Sequence, residues 1–431
     1  MKIIKAKCTY FPEKLKAPFG FKGGYLSELW QVVCRVESES AHGIGVGVQS
    51  VLWSDAAVFT SNSEFDGNTF MYKTTEYAVQ LLEGREGETP IELIDGIYEQ
   101  TLAFARSLTN VKQSLRETFV RNALVAVDNA LWQLYAKEKG ERDIVKLIPQ
   151  AYRAPLQEKH NRLCNIPLVS YGVSEEDIKQ LLENGTVLMK IKIGFDDNGK
   201  MSKADMLQWD KNRLKQIHDI ASGYQTEYTK SGKILCYLDA NGKYDTKERL
   251  IELLEYAKEI GALNNIVLLE EPFEEENKIF VGDLPVRIAA DESVHSLTDV
   301  EERIELGYKA ITLKPIAKTL SETIKILKKA FEQNVICFCA DLTVNPLLVE
   351  WNKNIAARIG TLPEMNIGIL ESNGEQNYIN WNEMQKCVDT RNETIYKNSI
   401  YYLTKNFFEK SGGVFEVIPY YEKFFLSILN N

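Results

Sequence analysis

Apolar and polar positions follow two textures along the chain. In the first part, strand patterns at 1–10, 29–37 and 44–52 precede helical patterns near 73–83, 90–108 and 114–138. Strands followed by helices predict an α+β unit. The last helical stretch, LRETFVRNALVAVDNALWQLYAKEKG, puts Phe119, Leu124, Val127, Leu131 and Leu134 on one apolar stripe and ends at Gly140. GIGVGV at 43–48 lacks the GxGxxG spacing and strand-turn-helix setting of a dinucleotide loop. It predicts a glycine-rich strand or turn.

From residue 165 the texture changes to short, nearly continuous apolar runs alternating with amphipathic stretches. Strands are predicted at 166–172, 187–193, 234–240, 266–272, 286–292, 310–315, 335–341 and 366–371. Helices between them are predicted at 201–222, 246–260, 297–306, 318–333 and 345–358. Such strands are buried on both faces, which implies a parallel sheet. Eight units of this kind close most naturally into a TIM-like barrel with its working face at the strands' C-terminal ends. The expected organisation is an α/β chain: an α+β cap over 1–160, a barrel over 161–372, and a tail over 373–431 packing back on the cap.

A length of 431 residues suits two such units. No apolar run reaches the roughly 18 residues of a membrane span, and MKIIKAKCTYFPEK does not read as a signal peptide. A cytoplasmic location is the default expectation. The seven cysteines include no CxxC pair, so neither a zinc knuckle nor a disulfide framework is indicated. Cys337 and Cys339 read as small buried hydrophobes. A net charge of −10 argues against nucleic acid or an anionic membrane as the main partner. A small-molecule substrate is expected, and homo-oligomerisation is left open.

The candidate chemistry lies at the strand ends. Asp239 closes ILCYLDA, Glu270 closes IVLLE and Asp291 closes VRIAAD. Lys190 and Lys192 lie on the strand before this trio, and Lys314 on the strand after it. Clustered carboxylates at one rim suit a hard cation such as Mg²⁺, which takes oxygen ligands and keeps places open for substrate. In an eight-strand barrel the second and sixth strands are opposite, so ammonium groups would approach a metal-bound molecule from both sides. Period-two alternation turns Lys190 and Lys192 to the same, inner face. Removal of a proton α to a carboxylate needs this equipment: a cation to stabilise the enolate and a lysine of lowered pKa as base. The bland reading of the six residues is a structural ion-pair network.

The KIK, DAN, EEP, DES and LKP segments, in this order, resemble the enolase superfamily, specifically its muconate-lactonizing-enzyme subgroup within the mandelate racemase/muconate lactonizing enzyme family. DNALWQLYAKEKG resembles that family's cap-to-barrel helix, so the likeness runs from the cap to the eighth strand. The resemblance implies a (β/α)7β-type barrel with an α+β cap completed by the carboxy-terminal tail. It implies Asp239, Glu270 and Asp291 as Mg²⁺ ligands, Lys192 and Lys314 as opposed acid/bases, and Lys190 as a holder of the substrate carboxylate. Asn241 would support the metal or form an Asn-Gly turn, two compatible readings. Glu271 and Glu292 alternate to the opposite face and are left out. His295, just past the fifth strand, reads as a loop or helix-start residue. None of the four histidines follows the sixth or seventh strand, so the two-lysine subgroup fits better than a histidine-base one.

The implied activity is racemisation or epimerisation of a carboxylate through a metal-stabilised enolate. Dehydration, o-succinylbenzoate synthesis or cycloisomerisation on the same site is the alternative. A Schiff-base aldolase or a non-catalytic ligand-binding barrel is less well supported. Substrate selection is expected from PFGFKGGY (18–25), with Phe19, Phe21, Lys22 and Tyr25 as a lid and Gly20, Gly23 and Gly24 as its hinges. The family's dipeptide epimerases carry paired aspartates after the eighth strand, whereas this chain has GILESNGEQN, with only Glu371 there. Asp341 and Glu371 would bind an ammonium or hydroxyl, or else cap loops.

Overall fold

The computed structural model describes residues 1–21, 24–109, 115–389 and 394–429. An antiparallel sheet is formed by β1 (Lys5–Phe21), β2 (Gly24–Glu37) and β3 (His42–Gln49) in sequence order. The first two strands are far longer than their apolar patterns predict. Phe19 pairs with Leu26, Gly20 with Tyr25 and Phe21 with Gly24, so the described residues on either side of 22–23 continue the β1–β2 pairing. Gly24 serves close packing: a Cβ there would lie 2.8 Å from Leu52 Cδ1.

GIGVGV is a strand, and its glycines face a helix. A Cβ at Gly45 would lie 2.0 Å from the Ala126 carbonyl oxygen, and one at Gly43 equally close to that of Ala130. The glycine stripe thus lets helix Val125–Lys139 lie almost on the sheet backbone. That helix also meets the barrel. Ser321 donates to Asp128 through its N–H (3.0 Å) and its hydroxyl, while the Trp132 indole donates to Ser321 Oγ at 3.1 Å. The predicted 114–138 helix is in fact two, Glu117–Ala123 and Val125–Lys139, meeting at Leu124.

The barrel strands are β4 (Arg162–Ile166) with β5 (Leu168–Val169), β6 (Leu188–Lys192), β7 (Leu235–Asp239), β8 (Ile266–Glu270), β9 (Ile288–Ala290), β10 (Ala310–Leu313), β11 (Ile336–Cys339) and β12 (Gly368–Glu371). The first stave starts earlier than predicted and is split by Pro167, which has no N–H for the ladder. Its two halves close the ring, β4 pairing with β12 and β5 with β6. Alternation places Leu188, Leu235, Tyr237, Leu268, Ala289, Ala310 and Phe338 in one buried cluster. This apolar layer forms the floor beneath the charged strand ends. Helices such as Lys203–Ala221, Lys247–Glu259, Leu320–Glu332 and Pro346–Ala356 cover the outside.

The tail contributes to both units. Its hairpin, β13 (Thr394–Lys397) and β14 (Ile400–Leu403), extends the barrel sheet antiparallel to β4. Helix Pro419–Leu429 sets Tyr421 and Phe425 against Val33, Ile44 and Val46 of the cap sheet. Among the described residues no helix is long and apolar enough to cross a membrane.

Candidate active site at the strand ends

Lys190, Lys192, Asp239, Asn241, Glu270, Asp291, Lys314, Asp341 and Glu371 all line one pocket. β6 and β10 stand four strand steps apart in either direction around the ring, so Lys192 and Lys314 enter from opposite sides. Lys22 and the Phe21 side chain lie outside the described residues. Tyr25 is exposed on the hairpin.

Lys190 is the hub. Its buried ammonium lies 3.0 Å from Asp239 Oδ2, 3.2 Å from Glu270 Oε1 and 3.3 Å from Glu371 Oε2, with the Tyr237 ring centroid 4.9 Å away. Burial opposes its charge, yet the carboxylates of Asp239, Glu270 and Glu371 together hold its pKa well above the ordinary lysine value. Lys192 lies 2.6 Å from the same Asp239 oxygen and donates to Asn241 Oδ1. Burial raises the Asp239 pKa, but Lys190 and Lys192 outweigh it and hold the group low.

Asn241 makes the turn expected of it as one of the two readings. It has positive φ (43°) ahead of Gly242 (77°), making the turn. Its Nδ2 donates to Glu292 Oε1 at 3.0 Å, so it also braces a site carboxylate.

On the other side, Asp291 accepts from Thr312 Oγ1 (2.8 Å) and from Lys314, and the Lys318 ammonium donates to its backbone carbonyl at 2.9 Å. Burial works against the Asp291 charge, but Lys314 and Lys318 hold the carboxyl well below the usual range. Lys314 is held charged in turn: Asp291 and Glu292 outweigh its burial. Its ammonium sits 4.5 Å from the centre of the Trp53 ring.

The alternation argument holds for Glu271 and fails for Glu292. The Glu271 carboxylate turns away from the pocket to accept from the N–H groups of Asp291 (2.6 Å) and Ser293 (3.0 Å). Glu292, by contrast, lines the pocket. β9 ends at Ala290, so residues 291 and 292 are no longer in a pleat and both side chains turn inward.

Oxygens of Glu270, Asp291 and Glu292 lie within 4.8 Å of one another. Glu270 Oε2 is buried with no hydrogen-bond partner. Burial, reinforced by Asp291 and Glu292, pushes the Glu270 pKa up to about 8 despite Lys190. Crowded carboxylates with an orphaned oxygen form a donor set that fits a hard divalent cation. Asp239 of the sequence-predicted set is beside this trio, clamped by the two lysines of β6.

Trp53 and Lys318 escaped the sequence reading, which leaves out Glu292 on alternation. Lys318 had a detectable signal, one helical turn after Lys314 in Pro315–Lys318. Trp53 had none, because it reaches the barrel from the cap. His295 is structural: its ring bonds Thr118 Oγ1 and Glu275 Oε2, joining cap to barrel.

No protein-family model matches the sequence. Among curated proteins, the o-succinylbenzoate synthase of Bacillus subtilis (strain 168) is 24% identical over 309 residues, covering 67% of this chain and 67% of that protein. Among solved structures, a mandelate racemase/muconate lactonizing protein from Herpetosiphon aurantiacus superposes with a TM-score of 0.67. It is 16% identical and covers 95% of this chain and 97% of its own. The dipeptide epimerase from Enterococcus faecalis V583, complexed with Mg and L-Leu-L-Tyr, gives 0.63 at 16% identity, covering 94% and 98%. These neighbours are enolase-superfamily enzymes, and the chain shares their capped-barrel fold.

Proposed function

We propose that this chain, built on the enolase-superfamily fold, is a Mg²⁺-dependent racemase or epimerase moving the proton α to a substrate carboxylate between two lysines. The observation that carries the proposal is the opposed entry of Lys192 and Lys314 into one pocket, with the carboxylate cluster between them. Glu270, Asp291 and Glu292, with Asp239 beside them, would hold Mg²⁺, which when bound supplies Lewis-acid stabilisation of the enolate. Lys190 balances the buried carboxylates and helps hold the substrate carboxylate. Lys314, kept protonated by Asp291, is poised to deliver a proton to one face of the α-carbon. Lys192 takes the proton from the other face. Asn241 orients Lys192, and the apolar floor at Tyr237 and Phe338 keeps bulk water from below. The E. faecalis dipeptide epimerase, solved with Mg and a dipeptide, supports the metal and a small carboxylate substrate.

The Bacillus subtilis relative favours a second reading, loss of water as in o-succinylbenzoate synthesis, on the same site. The test is incubation of Mg²⁺-loaded protein in D₂O with panels of acid sugars, N-acylamino acids and dipeptides. Racemisation predicts α-deuterium incorporation with loss of optical rotation and no loss of water, abolished by EDTA. Loss of water from the carbon skeleton selects the second reading, and absence of exchange throughout the panels overturns both.

A further inference from the structure

Two carboxylates, Asp341 and Glu371, stand on the side of the pocket away from the metal cluster, and the structure treats them differently. Glu371 Oε2 is engaged by Lys190 at 3.3 Å. Asp341 is 5% exposed; its Oδ2 accepts from the Asn373 N–H at 2.7 Å, while its Oδ1 is buried without a hydrogen-bond partner.

The side-chain donors around Asp341 are committed elsewhere. Thr343 Oγ1 donates to Asn373 Oδ1 (2.9 Å), and the Tyr378 hydroxyl donates to the Thr343 carbonyl (2.7 Å). Gln31 donates to that hydroxyl at 3.1 Å and accepts from Asn345 at 2.8 Å. This buried network fixes the loops after β11 and β12 to the cap, and none of its donors serves Asp341 Oδ1. Burial pushes the Asp341 pKa up to about 6, with the N–H groups of Asn373, Leu342 and Val344 working against it. A buried carboxylate oxygen without a partner is costly, and a ligand donor would relieve that cost. The apolar part of the same pocket's lining includes Leu15, Leu26, Leu29 and Leu52 from the cap and Leu168 and Leu342 from the barrel.

We infer that Asp341 is a specificity-determining residue, and that the substrate is a carboxylate with an apolar body bearing an N–H or O–H donor that Asp341 Oδ1 accepts. Glu371 is not its partner in this task, being spent on Lys190. The assignment rests on the proposed carboxylate-binding reading of the site, because it requires the carboxylate end to lie at the lysine-carboxylate cluster.

Three probes share one apolar body and one carboxylate: L-leucyl-L-leucine, its 2-hydroxy-4-methylpentanoyl analogue, and 4-methylpentanoyl-L-leucine. They offer an ammonium, a hydroxyl and no donor at the same atom. Calorimetric titration of the Mg²⁺-loaded protein should show the third binding at least tenfold more weakly than both others. Asp341→Leu should bring all three within about twofold, while Mg²⁺ affinity stays unchanged. Should Asp341→Leu fail to fold, Asp341→Asn decides, keeping the hydroxyl preference and losing any excess for the ammonium. Equal binding of all three to the natural protein, an unchanged order in Asp341→Leu, or no binding by any probe overturns the inference. In the same samples α-deuterium exchange is read separately. The predicted binding order without exchange would sink the acid/base reading and leave Asp341 as the ligand acceptor.

Discussion

Two arcs of the same barrel rim handle buried charge in opposite ways. From β6 to β10, each lysine is paired with carboxylates: Lys190 with three, Lys192 with Asp239, Lys314 with Asp291. From β11 to β12, under the cap, Asp341 keeps an oxygen unsatisfied among leucines. A network of ion pairs is arranged to receive and move a charge that any substrate of the class would bring. A single open acceptor in an apolar wall discriminates among members of that class, since a ligand lacking the donor leaves it stranded. On the proposed function, the first arc serves the chemistry and the second selection.

The comparison breaks most decisively at the lysines. Lys192→Ala and Lys314→Ala should each lower racemisation by at least ~10³-fold, near the upper range of general acid/base catalysis. One of them should still exchange the α-proton of a single enantiomer with solvent deuterium. Unchanged exchange in both, measured by NMR, would remove them from the chemistry.

The carboxylates separate the sequence-derived ligand set from the one the structure assembles. Glu292→Gln should weaken Mg²⁺ binding by roughly 10- to 100-fold in calorimetry, the range of residues that hold or orient a metal ligand set. A larger loss in Asp239→Asn than in Glu292→Gln would restore Asp239 to the primary set.

The third effect is in pH. Without metal, burial pushes the Glu270 pKa up to about 8, from the ordinary value near 4.5. A raised carboxyl pKa means that stability from this group is lost as pH rises between those values. Proton and Mg²⁺ compete for the same oxygens, so apparent Mg²⁺ affinity should climb by up to about tenfold per unit from pH 6 to 8 and then level off. A flat profile would show that Glu270 is already ionised.

The smallest effect belongs to the selecting arc. Gln31→Leu removes the link between the cap and the Tyr378–Thr343 loop at the cost of about 1–3 kcal/mol of stability, the usual range for stranding buried hydrogen-bonding groups. Chemical denaturation should register that loss while Mg²⁺ affinity stays put. A parallel fall in Mg²⁺ affinity would mean that the two arcs are not separable.

The long-period order was legible in the sequence: which segments are strands, which way their side chains alternate, and that Lys190, Lys192, Asp239, Glu270 and Lys314 end on the inner face. Alternation is a local property of a pleated chain, so it needs no partner to be read. The glycine-rich 43–48 segment was legible as a strand for the same reason. Its purpose, the close seat of the helix at Ala126 and Ala130, was not.

Legibility ends where regular structure ends. β9 is three residues long, so the inward turn of Glu292 could not follow from a period-two count. Residues 19–21 and 24–26 read as a loop because glycine and aromatic residues obscure the strand pattern that pairing across β1 and β2 imposes. Sequence by itself determined most of the charged strand-end residues and the ring order that sets Lys192 against Lys314, because strand order and side-chain phase are one-dimensional quantities. Only the tertiary structure decided that Glu371 is engaged by Lys190, that Asp341 Oδ1 is left without a partner, and that cap leucines line the same pocket. Those facts depend on distances between side chains tens to hundreds of residues apart, which closure of the barrel and docking of the cap establish together.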